Sequence, residues 1–146
     1  LQQAIKQAHT TGESAWLHQA FLLLLQEERQ IDHAVLAESC RLIGKYTQAK
    51  QFFVKAIELE GESVQLVCGL ADCTRDSNAM GIVIQSTSPD DTSSYWYWLA
   101  NVRILQWYAE DGGEPVEIAA KINRLRKKDA SLGGAQFISE FNALLF

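Results

Sequence analysis

Residues 30–63 read QIDHAVLAESCRLIGKYTQAKQFFVKAIELEGES, two apolar patterns of helical period on either side of Gly44. The first predicts a helix over 32–43. Gly44 supplies a turn because it tolerates positive φ. The second predicts a helix over 46–60, with Ala49, Phe52, Phe53, Ala56, Ile57 and Leu59 on its apolar side and Gly61 at its end. Two such helices joined by a few residues form an antiparallel hairpin. The tripeptide Leu36-Ala37-Glu38 then returns as Leu70-Ala71-Asp72, thirty-four residues on, and as Leu99-Ala100-Asn101 a further twenty-nine on. Recurrence inside successive amphipathic helices predicts a stacked helical repeat.

Outward from that hairpin, helix signals continue in both directions. Upstream, helices are expected over 1–9 and 14–29, the second capped by Ser14. Downstream, 63–74 restarts the pattern, 75–78 is a turn, and a short returning helix covers 79–85. The polar stretch 86–94 follows. Pro89 can open a helix there with Asp90 and Asp91 in its first turn, or the loop can run on to Thr92 or Ser93. Further helices are expected over 95–110, 115–128 and 135–146. Strand alternation is nowhere sustained, and the class is all-α.

Composition narrows the function. A net charge of −5 argues against nucleic acid, whose binders carry basic faces that neutralise phosphates. The densest basic run, Arg124, Arg126, Lys127 and Lys128, falls at a helix end, where cations complement the dipole. No run approaches the roughly 20 apolar residues of a membrane span, so membrane insertion is not expected. Three cysteines, Cys40, Cys68 and Cys73, do not make a disulfide framework. Free thiols lean towards a reducing, cytoplasmic compartment, with export left open. The chain starts on Leu1 without a targeting pattern and is expected to be a piece of a longer protein.

The small and apolar residues of the hairpin carry a family resemblance. Leu36 and Ala37 in the first helix, Gly44 and Tyr46 at the turn, and Ala49, Phe53, Ala56 and Leu59 in the second stand in the order and spacing of a tetratricopeptide repeat. Segment 30–63 resembles that repeat closely. Segment 64–91 looks like a degenerate second copy, keeping Leu70 and Ala71 but placing Met80 at the usual turn aromatic. Segment 92–128 is similar through Trp96, Leu99 and Ala100, and departs from the pattern after Pro115, where Ala119-Ala120 is out of register. Gly12 and Ala15 hint at an upstream remnant. The resemblance implies one domain over 1–146, an α-α solenoid of antiparallel hairpins, with 135–146 as a capping helix.

In that family the first helix of each hairpin lines a concave face where peptides bind. Carried over by position, the face holds Ala34, Glu38 and Arg41, then Cys68, Asp72 and Arg75, then Tyr97, Asn101 and Ile104. Glu38/Asp72 and Arg41/Arg75 recur at the packing interval. That recurrence fits alternating charge shown to an extended peptide, and fits equally a solvated surface with interhelical ion pairs. The family's carboxylate clamp of paired lysines and asparagines is absent apart from Asn101. Tyr97 shares a face with Asn101 and Ile104 and is the candidate anchor if exposed; burial of the run Tyr95-Trp96-Tyr97-Trp98 between neighbouring helices is the competing expectation.

Chemistry-bearing patterns are otherwise lacking. His9, His18 and His33 share no ligand spacing with Cys or carboxylates, so no metal or cofactor is expected. No phosphate loop, nucleophile elbow or Ser/His/Asp set can be assembled. The acid pairs Glu27-Glu28 and Asp90-Asp91 are sequence neighbours that a helix splays apart. The expectation is a non-catalytic module holding a protein or peptide segment. The alternative is a structural spacer or oligomerisation block in a larger assembly or envelope protein.

Overall fold

The computed structural model describes residues 32–145, which are all-helical, with no strand among them. The helices expected over 1–9 and 14–29, and Phe146, lie outside the described residues. The chain divides into two compact units, separated between Thr74 and Arg75.

The first unit holds α1 (His33–Leu42), α2 (Tyr46–Glu60) and α3 (Val64–Thr74). Asp32 starts α1 by accepting a hydrogen bond from the Val35 amide at 3.2 Å, which satisfies one of the amides a helix start leaves without a partner. Gly44, at φ +82°, turns the chain, its N–H donating to the Arg41 carbonyl. A side chain at that φ would be strained. Gly61 ends α2, and the Ser63 hydroxyl accepts from the Leu66 amide at the start of α3.

Small residues make this core. Leu36, Ala37, Cys40, Ala49, Phe53, Ala56 and Leu66 are buried together, with Leu70 and Cys73 against them. Alanines on α1 and α2 let the two helices approach closely. Helix α3 packs on both, and a Cβ at Gly69 would lie 2.2 Å from the Phe53 ring. Only a residue without a side chain leaves room for that ring.

The second unit holds α4 (Ser77–Ser86), α5 (Ser94–Glu110), α6 (Pro115–Lys128) and α7 (Ala135–Ala143). Helix α4 starts two residues before the expected 79, because the Asp76 carboxylate caps it, accepting from the Ala79 amide at 3.0 Å. Pro89 opens no helix. Ser93 Oγ accepts from the Ser88 amide, while Asp91 accepts from the Ser93 amide at 2.7 Å. The loop therefore runs to Ser93, as in the second of the two sequence readings.

Helix α5 packs against α4, α6 and α7, which explains how four consecutive aromatics can be covered. Trp96, Tyr97 and Trp98 are all buried. The ring of Trp98 meets Phe141 of α7 edge-on at 6.1 Å, and Tyr95 meets Phe137 at 5.5 Å. Before α7 the backbone passes so close to Trp98 that a Cβ at Gly133 would lie 2.5 Å from the indole. Among the described residues no helix is long and apolar enough to cross a membrane.

Candidate functional site

Of the nine residues placed on a binding face, Ala34 is half-buried and Cys68 buried, and the other seven divide by unit. In the first, Glu38 and Arg41 stand one turn apart on α1 and Asp72 lies on α3. Their side chains converge. Arg41 Nε donates to Glu38 Oε1, and Arg41 Nη1 donates to Asp72 Oδ2 at 2.9 Å. Arg41 is 4% exposed, Glu38 8% and Asp72 7%, so none is displayed as a contact for a partner. The planar guanidinium suits this task because its fork offers parallel donors to two carboxylates.

Of the two readings of this charge, the interhelical ion pair is present between Arg41 and Asp72, but it is buried rather than solvated. Glu38 and Asp72, which the sequence spacing sets thirty-four residues apart, face each other across one arginine. Buried like charges repel strongly in a medium of low dielectric, so Arg41 is what lets the two carboxylates be buried near one another. Arg75, the register equivalent of Arg41, behaves differently. It has φ +55°, unusual for a residue with a side chain. Its half-exposed guanidinium bonds Glu110 at 2.6 Å, lies 3.8 Å from Asp111 and sits 5.8 Å above the Trp107 ring.

Tyr97 is 4% exposed, so of the two readings of the run 95–98 it is burial between neighbouring helices that holds for it, and Tyr97 is part of the aromatic core rather than an exposed anchor. Its ring stands edge-on to Trp98 at 5.1 Å, and its hydroxyl accepts from Lys128 Nζ at 3.1 Å. Asn101 is 2% exposed and donates from Nδ2 to the Tyr97 carbonyl at 2.8 Å, one turn back along α5. The shared face read from the spacing is present, but it points inward. Ile104 is half-buried. Of the seven, Arg75 and Ile104 retain substantial accessible surface.

Nucleophilic chemistry finds little support in the thiols. Cys40 and Cys68 are buried, and burial raises the Cys40 thiol above its usual range. Cys73 is pushed up to about 12, first by burial and then by the adjacent Asp72 carboxylate. A thiol held protonated at neutral pH is a poor nucleophile. Among the described residues no three His, Cys, Asp or Glu side chains gather as metal ligands. An open depression of about 450 Å³ lies along the solvent side of α2, lined by Thr47, Lys50, Gln51, Val54, Lys55 and Glu58. It is a shallow surface feature with no convergent catalytic groups.

Sequence reasoning missed two features of the second unit. One is the long-range bond of Lys128 to Tyr97; the basic run was read only as a helix end. The other is Arg103, which donates to Glu140 of α7 at 3.2 Å and to Gln106 at 2.9 Å, tying the last helix to α5. Arg103, a charged residue among apolar neighbours at a half-buried helical position, carried a signal, whereas Lys128 is exposed and carried none. Comparison of the chain with protein-family models, curated proteins and solved structures finds no match.

Proposed function

We propose that this chain is a tetratricopeptide-like solenoid whose work is to hold a peptide or protein segment without catalysing a reaction. The observation that carries the reading is the seating of Phe53 of α2 over Gly69 of α3. Close packing of this kind is what stacking the second helix of one hairpin on the first helix of the next requires. Repeats that pack this way build extended surfaces rather than closed pockets, so binding is the activity they suit best.

A second reading, the structural block of a larger assembly, draws support from burial. Glu38, Arg41, Asp72, Tyr97 and Asn101 are all buried, and each bonds within the chain, leaving few polar groups for an outside ligand.

The two readings separate in a selection from a random peptide library displayed against the 146-residue chain, followed by titration of the enriched peptides. Binding is expected to weaken at least about tenfold in an Arg75→Glu/Ile104→Glu variant that keeps its helical circular dichroism, since a lost contact of about 1.4 kcal/mol is a factor of ten. Enriched peptides that bind both proteins equally, or no enrichment at all, would put the structural block ahead.

A further inference from the structure

Helix α6 buries one stripe, Ile118, Ile122 and Leu125, and shows solvent the opposite one. At 3.6 residues per turn that outer stripe is Val116, Ala120, Arg124 and Lys127, with Glu117 beside it. Val116 is 79% exposed, more than any other large apolar side chain among the described residues, and Ala120 and Arg124 are exposed too. The charge along this stripe is divided. Glu117 lies in the first turn of the helix, and Arg124 and Lys127 lie in its last two.

The basic half has no neutralising partner. Among the described residues no carboxylate lies within ion-pair distance of Lys121, Arg124, Lys127 or Lys128. Lys121 is held below its usual pKa, first by partial burial and then by the Arg124 and Lys128 cations. Like charges have thus been gathered on one end of a helix in a protein whose net charge is negative. Helix-end cations gain from the dipole, but that gain belongs to the last turn and does not extend to Arg124 or Lys121.

We propose that α6 pairs with α6 of a second copy of this chain, antiparallel, about a two-fold axis beside Ala120. Such an axis sets residue 117 of each copy against residue 124 of the other. Each copy then supplies the carboxylate that Arg124 of the other lacks, and the contact is self-complementary as a two-fold interface requires. Ala120 at the crossing lets the backbones approach, and Val116 of each copy is covered. Glu117 already accepts a hydrogen bond from the Tyr108 hydroxyl. A carboxylate has about four lone-pair sites and can take an arginine as well. An acidic segment of another protein would satisfy the cations but would leave the glutamates facing one another's charge, which is why a second copy fits the whole stripe. The pairing stands on a face distinct from the peptide-holding reading and survives that reading's failure.

One helix pair covers less than the roughly 1,200 Å² of a firm interface, so the dimer is weak and sensitive to salt. Sedimentation equilibrium of the 146-residue chain up to about 1 mM, where contacts worth about 4 kcal/mol become visible, tests it directly. Association is expected at low salt and is expected to fade as sodium chloride is raised. Arg124→Glu alone and Glu117→Arg alone should each weaken it about tenfold or more, since two symmetric pairs are lost and replaced by repulsion. The exchange Glu117→Arg/Arg124→Glu should restore it. A monomer throughout, a dimer indifferent to Arg124→Glu, or an exchange variant no tighter than the single variants overturns the proposal. Gain of binding to an acidic polypeptide such as polyglutamate by Glu117→Arg, with no self-association in the parent chain, would assign the stripe to another protein instead.

Discussion

In residues 32–74 the helices come together over alanine, glycine and the buried ring of Phe53, and an ion cluster is buried among them. In residues 75–145 the same task falls to Trp96, Tyr97, Trp98, Trp107, Phe137 and Phe141. Small residues bring backbones close and leave little volume to fill, so such a core depends on fit. Large aromatics bury much more area each and hold helices further apart. The resemblance to a regular repeat is strongest where packing depends on fit. It fades where bulk takes over, because bulky rings can be accommodated at many spacings.

Two substitutions of similar, large effect test that contrast through what rescues them. Trp98→Ala removes a side chain 2% exposed from between α5 and α7 and should cost about 3–5 kcal/mol in a urea melt. Trp98→Phe should recover part of this, because area is what the site requires. Arg41→Met should also cost about 3–5 kcal/mol, because it takes the guanidinium from between two buried carboxylates. Here a hydrophobic replacement at one position is no rescue. Changing Glu38, Arg41 and Asp72 together to Leu, Met and Leu should return most of the loss. Failure of the triple variant to exceed Arg41→Met would show that the cluster is needed for more than its own charge balance.

Much of this fold was legible in the chain because its helix ends carry local signals. Gly44, Gly61 and Pro115 act within a turn of their own position, as does Asp111-Gly112, where Gly112 at φ +88° lies just past the end of α5, and the observed bounds of α2, α5 and α6 follow them closely. Asp76 was passed over as part of a turn, since its capping role depends on where the helix chooses to begin. The candidate site was less legible. A thirty-four-residue interval says that Glu38 and Asp72 occupy equivalent positions, not that an arginine lies between them. Tyr97 was the hardest to place. Its exposure is decided by α6 supplying Lys128 and by α7 covering the neighbouring Trp98, neighbours that no local pattern in 95–98 encodes.

The smallest effect is the sharpest probe of the region that depends on fit. Gly69→Ala lies inside α3, where alanine should favour the helix over glycine by up to about 1 kcal/mol. On propensity alone the variant is more stable. Against this, the added Cβ would stand 2.2 Å from Cζ and 2.4 Å from Cε1 of Phe53, a ring 2% exposed with no room to withdraw. Overpacking of this kind costs about 1–3 kcal/mol, so a net loss is expected. The cause can be isolated by repeating the substitution in a Phe53→Leu background, where the ring is gone and propensity should prevail. A double-mutant cycle in denaturant melts should therefore show Gly69→Ala destabilising beside Phe53 and neutral or stabilising beside Leu, with a coupling of about 1 kcal/mol or more. An equal effect in both backgrounds would mean that α2 and α3 are not held by this contact, and the principal support for repeat stacking would go with it.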